Sequence, residues 1–233
     1  MSQSKKLSEN KNQHKVKNTE SKKQDKIVKQ VSVKILTDLK NKYPELTFGL
    51  DKRLHSSEIE KKVSDQVTAG KNTYLSPDGG LLWVQIGGEK RYILISEQKR
   101  QGTNDQRYLD GLPLQAIGNA AERVGKPLND MKSYFCNEKI IPFIVFFQGC
   151  DFHESESTIP DRMRGIFGYL PQNTINLFKI YKGDLPLAGS YYMRGHSYKE
   201  LPGTSDWKFD EMFLPMFEIA ETSLKYYLEK YGE

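Results

Sequence analysis

The stretch from Leu81 to Lys99 constrains this chain more than any other. Two runs of β-forming residues, Leu81–Ile86 and Arg91–Glu97, flank Gly87-Gly88. A Gly-Gly pair takes the positive φ of a tight two-residue turn. The runs therefore read as neighbouring antiparallel strands. Tyr92-Ile93-Leu94-Ile95 is apolar at every position, the pattern of a strand buried on both faces. Such a strand belongs inside a sheet with helices on both sides.

The rest of the chain supplies those helices. Ile27, Val28, Val31, Ile35, Leu36 and Leu39 recur at helical spacing and predict a helix ending between Asn41 and Pro44. A shorter helix is expected over 57–67, capped by Ser56 or Ser57. Polar residues 100–110 read as a loop. Helices are expected over 114–124 and 128–138, with Pro127 near the first turn of the second. Ile141–Gln148 and Thr174–Tyr181 read as further strands, and residues 151–165 as irregular. Trp207–Tyr231 carries a helical stripe of Phe213, Met216, Phe217, Ala220, Leu224, Tyr227 and Leu228, with Pro215 expected to break or kink it. The predicted fold is α/β, a mixed central β-sheet flanked by helices.

Charge divides the chain. Residues 1–30 hold nine lysines and three acids, a net +6, whereas the whole chain of 233 residues carries +5. The remaining residues thus sum to −1. A lysine-rich, apolar-poor segment cannot bury enough surface to fold alone, so residues 1–25 are expected to be a flexible basic arm and 26–233 one domain. The arm reads either as a solubilising tail or as a reach for phosphates. No apolar run is long enough to span a bilayer, and the start lacks the apolar core of a signal peptide. Two cysteines, Cys136 and Cys150, give neither a disulfide framework nor a zinc motif, and the expected compartment is the cytoplasm.

The chemistry lies at the two ends of the hairpin. Ser76-Pro77-Asp78-Gly79-Gly80 opens its first strand, and Ser96-Glu97-Gln98-Lys99 closes its second. Eighteen residues separate Asp78 from Glu97, so a tight turn brings both to one end of the sheet. Glu97 and Lys99 are two apart on a strand and share a face. Two carboxylates offer hard oxygen ligands to Mg²⁺. The ion lowers the pKa of a bound water and polarises a phosphoryl oxygen, while Lys99 orients the attacking water and offsets phosphate charge. Each half has an ordinary explanation. Pro-Asp-Gly is a common turn, and Glu-x-Lys on an exposed strand is a weak ion pair. Packing does not account for an apolar strand that ends abruptly in Glu-Gln-Lys-Arg-Gln.

These residues resemble a known family. Pro77-Asp78, then a strand, a turn and Glu97-Gln98-Lys99, followed by Gly118-Asn119-Ala120-Ala121-Glu122-Arg123, is similar to the EcoRI and MunI group of type II restriction endonucleases, within the PD-(D/E)xK superfamily. The resemblance extends in the same order through Tyr43–Phe48, Ile141–Phe152 and Asp206–Leu224. It implies a restriction-endonuclease-like fold and a Mg²⁺-dependent homodimer that cuts double-stranded DNA at a palindrome centred on AATT, leaving 5′-phosphate ends. Asp78, Glu97 and the backbone carbonyl of Gln98 would hold the metal, with Lys99 as the catalytic lysine. Asn119, Glu122 and Arg123 would read the central adenines, with Ala116 beside them; Asn and Arg chemistry suits the major-groove edge of adenine. A DNA methyltransferase is the expected genetic partner. Gln115 stands where the family has an apolar methionine near the outer base pair. Arg162 and Arg164 read either as guanine readers or as loop arginines on phosphates.

Two rival readings remain at this level: a structure-specific or repair nuclease of the same superfamily, and a DNA-binding protein without catalysis. His14, His55, His153 and His196 read as surface histidines, Cys136 and Cys150 as core fillers, and Tyr191-Tyr192 as packing. Asp151 and Glu154 read as solvated loop acids. Glu58 and Glu60 are possible supplements to the metal site.

Overall fold

The computed structural model describes residues 26–64, 73–114, 119–138, 140–153, 162, 190–200 and 203–232. The predicted arm and the strand expected over Thr174–Tyr181 lie outside them. The first helix, α1, covers 26–42. It is followed by β1 (Phe48–Asp51), β2 (Leu54–His55), α2 (Ser56–Val63), β3 (Tyr74–Leu75), β4 (Gly80–Ile86) and β5 (Glu89–Arg100). Next come α3 (Thr103–Leu109), α4 (Asn119–Tyr134), β6 (Phe143–Gln148), a 3₁₀ turn (Cys150–Phe152), β7 (Ser190–Arg194) and a last helix, α5 (Phe209–Tyr231).

Five strands form one sheet in the order β1-β4-β5-β6-β7, and β2 pairs with β3 separately. The β1/β4 and β4/β5 pairs are antiparallel, and β5/β6 and β6/β7 are parallel. The sheet is therefore mixed, as the sequence predicts. Ile86 faces Glu89 across the turn, with Gly87 at φ 60° and Gly88 at φ 77°. Both angles lie in the left-handed region that a primed hairpin turn requires.

Both faces of the sheet are covered. On one, Leu82, Val84, Ile93, Ile144, Phe146 and Tyr192 pack against Val28, Val31, Ile35 and Leu39 of α1 and Met212, Met216, Ile219 and Leu224 of α5. These helical residues recur every three or four positions, so one stripe of each helix meets the sheet. On the other face, Leu81, Ile95, Val145, Phe147 and Tyr191 pack with Ile59 of α2 and Leu128 and Met131 of α4. Fully burying a side chain of this size stabilises by roughly 1.5–3 kcal/mol.

Several elements differ from expectation. Residues 103–109 form α3, which has no apolar stripe; it is anchored by Asn104 and Asp105, both buried. Residues 119–134 form one helix through Pro127, where two were expected. Likewise α5 runs through Pro215. Pro215 is itself buried between Met212 and Met216, and the packing of that stripe outweighs one missing backbone hydrogen bond. The shorter α2 begins at Ser56 without a serine cap; the Ser56 N–H instead donates to Thr73 O at 3.0 Å. Strand β1 was not anticipated. Gly49 within it lies under the Trp83 indole, where any Cβ would collide.

Candidate active site

The turn that opens β4 and the end of β5 are laced together by backbone bonds. Gly79 N–H donates to Ser96 O at 3.0 Å, and Gly80 N–H to Pro77 O at 3.0 Å. Gly79 is needed because its backbone lies against Ser96, and a Cβ would run into Ser96 Oγ. The Ser96 hydroxyl in turn shares a hydrogen bond with Ser32 of α1 at 3.1 Å. The first helix thus abuts the Asp78 turn from one side of the sheet.

On this frame the three predicted residues meet. Asp78 N–H donates to Glu97 Oε2 at 2.9 Å. Gln98 N–H donates to Asp78 Oδ2 at 3.1 Å. The Lys99 ammonium donates to Glu97 Oε1 and lies 3.7 Å from Asp78 Oδ2. One cationic atom is therefore shared by carboxylates from two neighbouring strand segments. Glu97 is only 7% exposed, whereas the side chains of Asp78 and Lys99 are each 24% exposed. Burial pushes the Glu97 carboxyl above the ordinary carboxylate range. Lys99 opposes that shift and the negative Asp78 adds to it.

The donor set suits a hard divalent cation. Two carboxylates converge on one positive centre, and a metal would add charge where the pair leaves a net −1. N–H and C=O of one strand residue point to the same edge. The Gln98 carbonyl thus leaves β5 on the same edge as the N–H that bonds Asp78. Among the described residues no cluster of three or more His, Cys, Asp or Glu has metal-binding geometry. A magnesium ion here would keep water in its remaining positions, as that ion prefers.

A family profile described as restriction endonuclease EcoRI matches residues 10–183. The chain belongs to that family. The type II restriction enzyme RsrI of Cereibacter sphaeroides is 31% identical over 156 residues, 60% of this chain and 56% of RsrI. The type II restriction enzyme EcoRI of Escherichia coli is 27% identical over 240 residues, 86% of this chain and 84% of EcoRI. The match to RsrI thus spans just over half of that relative's length.

The topology of this EcoRI-family chain places α4 on one face of the sheet. Strands β5 and β6 are parallel, and α4 lies in the crossover between them. It ends at Tyr134, eight residues before β6 begins. Its C-terminal end thus leads into the start of β6. Leu128 and Met131 fix it on the sheet face that carries Ile95. Side chains alternate along a strand, so Glu97 and Lys99 share that face. Asn119, Glu122 and Arg123 occupy the first turns of α4, three and four residues apart, which puts their positions on one side of the helix. Arg162 is exposed. Gln115, Ala116 and Arg164 lie outside the described residues.

Several polar residues behave differently from their sequence reading. His196 is 4% exposed, not a surface residue. It is hydrogen-bonded through Nδ1 to Ser205 Oγ at 2.6 Å and through Nε2 to Asp105 Oδ1 at 2.9 Å. Asp151 is buried in the 3₁₀ turn rather than solvated, and Cys136 is exposed while Cys150 is buried. Tyr191 and Tyr192 are buried packing residues as expected, on β7. Glu58 is exposed on α2, and Glu60 lies on the same helix. No sequence pattern singled out Gln148, which is fully buried at the end of β6. No described helix is long and apolar enough to cross a membrane.

Proposed function

We propose that this chain is a type II restriction endonuclease that hydrolyses double-stranded DNA at a palindrome centred on AATT. The observation that carries the reading is the shared contact of Lys99 with both Asp78 and Glu97 at the end of the β4–β5 hairpin. In this reading Asp78, Glu97 and the Gln98 carbonyl hold Mg²⁺. Bound there, the ion supplies Lewis-acid polarisation of the phosphoryl group and acidifies water in its shell. Lys99 orients the attacking water and offsets charge that builds on the phosphate. Water adds to phosphorus as the P–O3′ bond breaks, which leaves a 5′-phosphate and a 3′-hydroxyl.

Support for AATT comes from Gly118-Asn119-Ala120-Ala121-Glu122-Arg123, with its Asn, Glu and Arg set for adenine edges. Gln115, Ala116, Arg162 and Arg164 complete the proposed DNA contacts. A palindrome calls for a two-fold symmetric reader, so the acting species is a homodimer. Residues 26–233 form its single domain, and the lysine-rich arm of residues 1–25 reaches for phosphates. The protein acts in a reducing cytoplasm, which suits its two free cysteines, alongside a methyltransferase that protects the host's own sites.

The test is the Asp78→Ala variant on unmethylated phage DNA. It is expected to bind the site and to cleave undetectably, while the parent gives discrete fragments whose sequenced ends share an AATT core. Full cleavage by the variant removes Asp78 from the mechanism. Smears, or a preference for branched substrates, point to a repair nuclease. Site binding with no breaks by the parent in Mg²⁺ points to a non-catalytic DNA-binding protein.

A further inference from the structure

Behind the site, on the opposite face of the sheet, lies a buried polar chain. Gln148, the last residue of β6, has no exposed surface. Its Oε1 accepts from Gln98 Nε2 at 2.8 Å and from the Trp207 backbone N–H at 3.2 Å. Its Nε2 donates to Asp206 Oδ1 at 2.7 Å. Its backbone carbonyl accepts from Gln101 N–H at 2.9 Å. The turn that supplies Asp206 and Trp207 is itself fastened to the sheet, since Trp207 Nε1 donates to Phe147 O at 2.8 Å. Buried side-chain amides are mostly hydrogen-bonded; here the bonds of Gln148 tie together three segments that are distant in sequence.

One of those segments is Glu97-Gln98-Lys99. Gln98 is held on both sides of the strand: its backbone N–H by Asp78 and its side chain by Gln148. Rotation of β5 about its own axis at this point would break both bonds. It would also turn the Gln98 carbonyl and carry Glu97 and Lys99 with it. An aliphatic side chain at 98 would bury equally well but would leave only backbone bonds to oppose that rotation.

We infer that Gln148, braced by Asp206, is a positioning residue for the metal centre, acting through Gln98 to fix the direction of its peptide. The inference rests on the metal-site reading given above. Gln148 touches neither ion nor substrate. Groups that hold first-layer ligands in place typically change metal affinity by about 10–100-fold when removed.

The experiment reads metal binding apart from cleavage. Mn²⁺ affinity is measured by the electron-spin signal of the free ion, DNA binding by fluorescence anisotropy in EDTA, and cleavage across a Mg²⁺ titration. Gln148→Leu is expected to weaken Mn²⁺ about tenfold and to raise the half-saturating Mg²⁺ in step. Metal-free DNA binding and the cleavage rate at saturating Mg²⁺ stay near the parent's. Gln148→Glu sets a second carboxylate against Asp206 and is expected to show the same loss. Adding Asp206→Asn to it restores an amide–carboxylate pair with reversed polarity and is expected to recover the affinity. This pair of variants decides the matter if Gln148→Leu does not fold. Parent-like Mn²⁺ affinity in folded Gln148→Glu overturns the inference, as does an equal loss in metal-free DNA binding or a failure of Asp206→Asn to rescue. A parent that binds no Mn²⁺ overturns the metal-site reading and this inference together.

Discussion

The backbone N–H of Asp78 donates to the Glu97 carboxylate at 2.9 Å. The return bond runs from the N–H of Gln98 to the Asp78 carboxylate at 3.1 Å. Each acid is oriented by the peptide next to the other, so neither can turn away without leaving an N–H unmatched. Lys99 lies against both. This reciprocal arrangement makes the two carboxylates one unit, and the predictions below follow from it and from the frame that holds it.

In the proposed mechanism Lys99 supplies positive charge beside the phosphate, and in the fold it is ion-paired with Asp78 and Glu97. The Lys99→Ala variant is expected to lose about 10²- to 10³-fold in cleavage rate, the usual effect of removing one donor aimed at developing charge. Its metal-free DNA affinity is expected to stay near the parent's. Single-turnover cleavage and anisotropy measured side by side check this; a rate within a few-fold of the parent would exclude a direct role.

Glu97 gives the protein a defined pH response. Its carboxyl titrates above its ordinary 4.5 because burial outweighs the attraction of Lys99. The folded chain therefore holds this proton more tightly than the unfolded chain. It follows that the metal-free protein loses stability as pH rises from the ordinary value through the raised one. Urea titrations of metal-free Glu97→Gln should show a flatter profile across that window and no loss of stability near neutral pH. A divalent cation competes with the proton. The rising limb of the parent's pH–rate profile should accordingly move to lower pH as Mg²⁺ is increased.

Gly79 has no room for a side chain. A Cβ there would collide with Ser96 Oγ and approach Ser32 Oγ to 3.0 Å. The Gly79→Ala variant is expected to lose about 1–3 kcal/mol of stability from overpacking, and to lose cleavage more steeply than DNA binding because Asp78 is the next residue. Truncation of Ser96 to Gly in the same chain should recover part of both. Denaturant midpoints of the single and double variants test the coupling.

Phe146 is completely buried; its ring stacks on Tyr192 at 5.3 Å and meets Trp207 edge-on at 5.3 Å. The Phe146→Ala change is expected to cost about 3–5 kcal/mol, read from urea unfolding. A cost under 1 kcal/mol would mean that the sheet face beneath α5 refills the space.

The hairpin was legible because two periodic signals agreed. Gly87-Gly88 fixed the turn, and the apolar run through Ile95 fixed the central strand and so delivered Glu97 and Lys99 to one face. Helices α1 and α5 were legible from their stripes. Helix α3 was not, because Asn104 and Asp105 hold it by buried polar contacts, which hydrophobic periodicity does not register. For the same reason His196 and Asp151 read as solvent-facing. Their burial depends on α3, the 3₁₀ turn and the segment after β7 arriving at one place. The expected break at Pro215 rests on a local rule about one hydrogen bond, without the sheet that Met212 and Met216 pack against; Pro127, expected in the first turn of a separate helix, lies inside one continuous helix that Leu128 and Met131 hold on the sheet.

Asp78 and Glu97 meet across a loop of only eighteen residues. Closing a chain segment of that length costs about 2.5 kcal/mol of entropy by the logarithmic rule, far less than joining parts from opposite termini. The consequence concerns damage far from the site. Substitutions in α5 or β7 that shrink the folded population should lower the amount of working protein while leaving each surviving molecule's cutting rate intact. Activity normalised to folded protein would then separate residues of the hairpin from those that merely shelter it.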